Sequence, residues 1–92
     1  MVNPRTNLFY VYILKSIKDG NFYIGSTNSL ERRVDEHNKG LVFSTKGRLP
    51  LELIYYEAYK SERDARQREK NLKIRSRAFI QLKKRIKESM ML

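Results

Sequence analysis

The apolar positions of this chain fall into blocks with different periods. Leu8-Phe9-Tyr10-Val11-Tyr12-Ile13-Leu14 is apolar on both parities, the pattern of a strand whose two faces are both covered. Lys15 to Asn21 is mostly polar and contains Asp19-Gly20, a turn pair, because Gly accepts positive φ and Asp bonds its own backbone. Phe22-Tyr23-Ile24-Gly25 resumes the strand pattern. These blocks predict a β-hairpin with its first strand inside a larger sheet. The period then changes. Leu30, Arg33, Val34 and His37 recur at helical spacing, with Asn28 and Glu31 as a capping box and Lys39-Gly40 as a stop. Arg32, Asp35 and Glu36 point outward on that helix.

Leu41 to Pro50 reads as a loop with a polar, basic centre, Ser44-Thr45-Lys46-Gly47-Arg48. Leu51 to Tyr59 alternates Leu51, Leu53 and Tyr55 against Ile54, Tyr56 and Ala58, predicting a third strand reached by a crossover through the helix. Ser61 and Asp64 open a second helix, whose thin apolar stripe is Ala65 and Leu72. Ser76 opens a last helix carrying Phe79, Ile80, Leu82, Ile86 and Met90, with a loose final turn. The expected class is α/β (α+β). It is a single small domain at 8–88, a mainly antiparallel three-stranded sheet flanked by about three helices, between a flexible 1–7 and a flexible 89–92.

Charge changes the picture more than composition does. Among 92 residues, 20 Lys and Arg face 10 Asp and Glu, for a net +10. The excess is lopsided: residues 60–92 hold twelve basic and four acidic side chains, the rest eight and six. A field this positive attracts polyanions, nucleic acid first among them. Lys46, Arg48, Arg66, Lys70, Lys73, Lys83 and Lys84 are the expected phosphate contacts. The competing readings are a solvated basic helix and a helix lying on an anionic membrane, which the absence of Trp disfavours. With no Cys there are no disulfides or thiolate metal sites, which suits a reducing cytoplasm. The longest apolar run, seven residues, is far short of the roughly 20 needed to span a bilayer. No signal-peptide pattern opens the chain.

Three features beside the positive field bear on chemistry. Tyr12 and Tyr23 share one sheet face if the hairpin register keeps their parity. A two-residue turn at Asp19-Gly20 pairs Ser16 with Tyr23 and leaves Tyr12 about 13 Å along the strand; a longer loop sets the two phenols opposite each other. Arg33 lies on an inward helical stripe, where an Arg is atypical. Glu69 lies between Ala65 and Leu72, an inward carboxylate among cations. The bland alternatives are an aromatic cross-strand pair and a salt bridge from Glu69 to Arg66, Lys70 or Lys73. The chemical alternative is a phosphodiesterase site. One carboxylate can hold Mg²⁺ with water and phosphate completing its shell, and Arg offers a fork of donors to phosphate oxygens.

On these residues the chain resembles the GIY-YIG nucleases, most closely their small stand-alone bacterial members. The resemblance rests on Tyr10-Val11-Tyr12, Tyr23-Ile24-Gly25, Ser26-Thr27-Asn28, Leu30-Glu31-Arg32-Arg33-Val34 with His37, and Ala65 followed by Arg68-Glu69-Lys70, over about residues 8–75. It implies a metal-dependent DNA endonuclease using Mg²⁺ or Mn²⁺. The implied catalytic residues are Tyr12, the expected base, Tyr23, Arg33 on the phosphate, His37 in an auxiliary role, and Glu69 on the metal. The productive site is expected to place Tyr12 roughly opposite Tyr23, with Arg33 and Glu69 on the same sheet face. DNA is the implied partner, structured or branched DNA included, with no membrane and no small-molecule cofactor. A basic binding module without turnover is the alternative. Tyr10 stands where the family's first motif has Gly, and a late Asn of several members has no counterpart, Asn71 following Glu69 too closely.

Overall fold

In the computed structural model, which describes residues 7–74 and 76–92, strand β1 (Phe9–Ser16) is the middle of a sheet ordered β2-β1-β3. Both β2 (Phe22–Thr27) and β3 (Leu51–Tyr59) run antiparallel to it. The middle position explains the unbroken apolar run. Val11, Tyr12, Ile13 and Leu14 are all buried because helices cover both faces. Val11 and Ile13, with Ile24 of β2, pack against Ala65 and Leu72 of α2 (Glu62–Ile74) and Leu82 of α3 (Ser76–Arg85). Tyr12 and Leu14, with Leu51 of β3, pack on the other side against Leu30 and Val34 of α1 (Leu30–Asn38). Each buried aliphatic side chain contributes about 1.5–3 kcal/mol, so two thin cores rather than one hold the domain together.

The hairpin loop is longer than Asp19-Gly20 alone suggests, as expected. Its register falls between the two considered: Tyr12 lies opposite Gly25, and Tyr23 opposite Leu14. Parity is kept, so both phenols project from the α1 face. Two bonds set the loop, Ser16 N–H to the Asn21 carbonyl at 2.9 Å and Gly20 N–H to the Ser16 carbonyl at 2.8 Å. Gly20 takes the left-handed φ of +73° that this closure needs.

Three local expectations are corrected. Simple alternation along β3 fails at a β-bulge: Tyr55 pairs with Ile13 but Leu53 pairs with Leu14, leaving Ile54 as the extra residue. The bulge lets Leu51 and Leu53 face α1 while Tyr55 and Tyr59 face α2 and α3. The capping box at Asn28 does not form. Ser29 is the N-cap, without a side-chain cap bond, and the Asn28 side chain instead accepts from Arg32 at 3.2 Å. The last helix breaks at Ile86, and Lys87–Met91 forms a short α4 instead of a loose end, its Met90 carbonyl tied to Lys15 Nζ at 2.9 Å. Of the flexible N-terminus expected at 1–7, residues 1–6 lie outside the described residues. Other signals hold. Ser61 Oγ accepts from Asp64 N–H, and Gly40 closes α1 with φ +75°, its N–H donating to the His37 carbonyl and the Leu41 N–H to the Glu36 carbonyl.

His37, at 0% exposure, is the most demanding residue of the α1 core. Burial, and then the charge of nearby Arg33, press its pKa down to about 4. Between about 4 and the ordinary 6.5 the unfolded chain binds a proton that the folded chain refuses. Stability from this group is therefore complete above pH 6.5 and is lost as pH falls. We expect unfolding free energy to drop by about 2 kcal/mol between pH 7 and 5, read from urea melts, and the drop to be missing in His37→Gln. Asp19, held down to about 2 by Arg48, gives way only at lower pH and does not mask the effect.

Candidate active site

Gly25 sits on the edge strand, directly opposite Tyr12. The Tyr12 ring lies across it: a Cβ built on Gly25 would stand 2.6 Å from Tyr12 Cζ and closer still to its hydroxyl oxygen. Only glycine leaves this passage open. The Tyr12 hydroxyl so placed meets His37 Nε2 at 2.9 Å, and His37 Nδ1 meets Thr45 Oγ1 at 2.7 Å. Tyr23 packs on both, its ring centroid 6.4 Å from that of Tyr12 and 5.0 Å from that of His37.

The proton on this chain has two positions. With it on His37 Nδ1, Thr45 accepts and Nε2 accepts the Tyr12 O–H; with it on Nε2, Thr45 donates and the imidazole donates to the phenol oxygen. The two differ in which ring nitrogen holds the proton and in how the Tyr12 and Thr45 hydroxyls are turned. Burial raises the Tyr12 pKa to about 12, against the opposing pull of the Arg33 guanidinium. Tyr12 is thus no preformed phenolate, and His37 is neutral at pH 7.

Arg33 comes from α1, as its stripe position requires, and is half-buried beside the Tyr12 phenol. Glu36 is turned toward it rather than outward, its Oε1 3.0 Å from Arg33 Nη1. Glu69 departs from expectation. It is carried by α2, which covers the opposite sheet face, and it reaches the edge strand through Ser26, whose hydroxyl donates to Glu69 Oε1 at 2.6 Å. Ser26 pairs with Val11, so its side chain stands on the α2 side. The other carboxylate oxygen accepts from Lys73 Nζ at 2.7 Å. Glu69 is still near enough to Tyr12 to oppose its ionisation. Two half-sites therefore meet across the rim of the sheet at Gly25: Tyr12, Tyr23, His37 and Arg33 on one side, Ser26 and Glu69 on the other.

A cleft of about 280 Å³ opens beside this rim, lined by Ser26, Thr27, Asn28, Arg32, Arg33 and Arg66 among others. The larger depression, about 1010 Å³, runs along Tyr10, Tyr56, Glu31 and Asp35. Its acidic wall repels phosphate, whereas three guanidinium groups make the smaller cleft the better anion site.

The expected phosphate contacts divide. Arg48 is tied to Asp19 at 2.8 Å and staples the 41–50 loop to the hairpin turn. Arg66 is paired with Glu62 at 3.0 Å, and Lys73 with Glu69. Lys46 lies over Phe43 and Lys83 over Phe79, each 4.8 Å from the ring centroid. Lys70 and Lys84 are exposed. Sequence reasoning missed Thr45 and gave Ser26 no role. Nothing in the loop's pattern marks Thr45 as buried. Ser26 was readable, since strand parity places it with Ile24 on the face that the Ala65, Glu69, Leu72 stripe covers.

Among the described residues no group of three or more His, Asp and Glu side chains stands together. Glu69 alone, with one oxygen held only by a half-exposed lysine, fits a hard divalent cation that keeps most of its water and takes phosphate oxygens.

Comparison with known proteins places the chain in a family. Residues 8–87 match the model of the GIY-YIG catalytic domain. A UPF0213 protein of Clostridium perfringens is 46% identical over 65 residues, covering 70% of this chain and 69% of that one. The UPF0213 protein YazA of Bacillus subtilis is 38% identical over 91 residues, covering 92% and 90%. The solution NMR structure of a UPF0213 protein of Bacillus halodurans superposes with a TM-score of 0.51 at 36% identity, covering 82% of this chain and 81% of that one. With a family model matched over most of its length, this chain belongs to the GIY-YIG family.

Proposed function

We propose that this protein is a metal-dependent DNA endonuclease that hydrolyses a phosphodiester at the Gly25 rim. The convergence there of Tyr12, His37 and Arg33 with Glu69, next to an arginine-lined cleft, carries the reading. The scissile phosphate docks against Arg33, Arg32 and Arg66, and Arg33, already braced by Glu36, faces the charge that grows as water attacks. Tyr12 takes the proton of the attacking water while its own passes to His37 Nε2, with Thr45 holding the imidazole; the P–O bond to the departing sugar oxygen breaks as the new one forms, and solvent water protonates that oxygen. The incoming phosphate adds negative charge that makes His37 a better proton acceptor than in the free protein. Tyr23 packs the phenol and imidazole in place. Mg²⁺ or Mn²⁺ on Glu69 supplies charge neutralisation at the phosphate and lowers the pKa of water. Structured or branched DNA, in cytoplasmic repair or recombination, is the proposed setting.

One observation favours a second reading. The Lys73 contact gives Glu69 a partner without metal, as in a basic binding module that has no turnover.

Glu69→Gln separates the two. The pair it removes is half-exposed and worth at most about 1 kcal/mol, so we expect melting within about 5 °C of wild type, DNA binding retained, and plasmid nicking with Mg²⁺ down about a hundredfold. Nicking by Glu69→Gln at the wild-type rate would overturn the role given to Glu69, and a wild type that binds DNA with Mg²⁺ without nicking it would leave the binding module standing. Arg33→Ala should lose far more rate than affinity, which single-turnover cleavage set beside filter binding will report. For Gly25→Ala, whose new Cβ has to displace a buried ring, differential scanning should show a loss of about 1–3 kcal/mol, and nicking should fall with it.

A further inference from the structure

The 41–50 loop between α1 and β3 carries an exposed apolar tip that the fold does not use. Phe43 is 84% exposed and Leu41 69%, while their neighbours Val42 and Thr45 are buried. The loop is not slack. Thr45 and Lys46 N–H both bond the Val42 carbonyl, Arg48 N–H bonds the Thr45 carbonyl, and Ser16 Oγ donates to the Arg48 carbonyl at 2.7 Å. The Arg48–Asp19 pair and the Lys18 bond to the Gly47 carbonyl fasten its far end. A large ring on a braced loop loses little entropy when something packs on it.

Position and charge say what packs there. Phe43 lies two residues, at most about 7 Å of chain, from Thr45, whose hydroxyl contacts His37 and through it Tyr12. Lys46 stands 4.8 Å from the Phe43 ring centroid, a cation placed for the phosphate of a nucleotide whose base meets the ring. The chain's net charge of +10 favours the same partner.

We propose that Phe43, with Lys46 beside it, is a nucleic-acid contact that stacks on an unpaired or unstacked base next to the bond being cut. The proposal rests on the endonuclease reading and narrows its substrate to DNA carrying at least one base free of its helix. Because Thr45 belongs to the same braced loop, a base seated on Phe43 also bears on the imidazole that serves Tyr12.

The chain contains no Trp, so Phe43→Trp supplies a single fluorophore at the tip. Labelled single-stranded, gapped and fully paired oligonucleotides are titrated into wild type, Phe43→Trp and Phe43→Ala, following label anisotropy together with indole emission. We expect emission to fall as anisotropy rises for single-stranded and gapped DNA. Phe43→Ala should bind these about tenfold more weakly, with melting unchanged, and Phe43→Trp should keep wild-type affinity. Anisotropy rising without a change in emission overturns the stacking contact and leaves the endonuclease reading untouched. No rise for any DNA with wild type overturns both. A wild-type oligomer that Phe43→Ala reduces to monomers in sedimentation makes the tip a protein contact and overturns the proposal.

Discussion

A polar thread through an apolar core is the constraint on which this structure depends. Thr45, His37 and Tyr12 are all buried, and each contact along the thread completes a group that would otherwise stand unpaired. An unpaired buried donor or acceptor costs about 1–3 kcal/mol, a large share of a small domain's stability. The thread therefore sets the seat of α1 on the sheet, the path of the 41–50 loop and the rotamer of the Tyr12 ring together. A strand, a helix and the loop that follows it are tied together by two hydrogen bonds. The same bonds keep the phenol beside the sheet rim, so the packing that holds the fold and the geometry that would move a proton are one arrangement.

The positive charge is organised in two ways. Part of it is spent inside the protein: Arg68 forks onto Glu57, which also accepts from Tyr55 and Tyr59, and Arg48 and Lys73 each hold a carboxylate. These pairs fix loops and helix faces and add little to an outward field. Arg32 and Arg33 line the cleft in spite of their bonds to Glu36, and Lys46 leans over a ring beside the site. A count of lysines and arginines shows how many charges there are, but their partners decide which can meet phosphate.

Much of this was legible before any coordinates. The seven-residue apolar run announced a strand covered on both sides, parity placed Tyr12 and Tyr23 together, and helical spacing turned Arg33 and His37 inward. The misses have local causes. One bulge residue, Ile54, flips the second half of β3, and no pattern of apolar letters shows a flip when both faces are covered. Glu69 was expected on the tyrosine face because a productive site was taken to need it there; its stripe says only that it is inward, not which side of the sheet its helix takes. Thr45 was hidden because loops have no period. Glu36 was assigned to solvent from its helical angle, and its neighbour Arg33 drew it back.

Gly25 divides the site between two separately packed cores. Its tyrosine, histidine and arginine belong to the layer under α1, and its carboxylate to the layer under α2. Neither layer holds a complete set. A molecule in which one helix has lifted off keeps half of the reacting groups in good order and still has no chemistry to offer. On the proposed reading, partly opened chains, and those still folding, would be inert toward nucleic acid. For the endonuclease proposed above, a site assembled only across a closed seam would work as an interlock: the cut would be made by the finished fold or not at all.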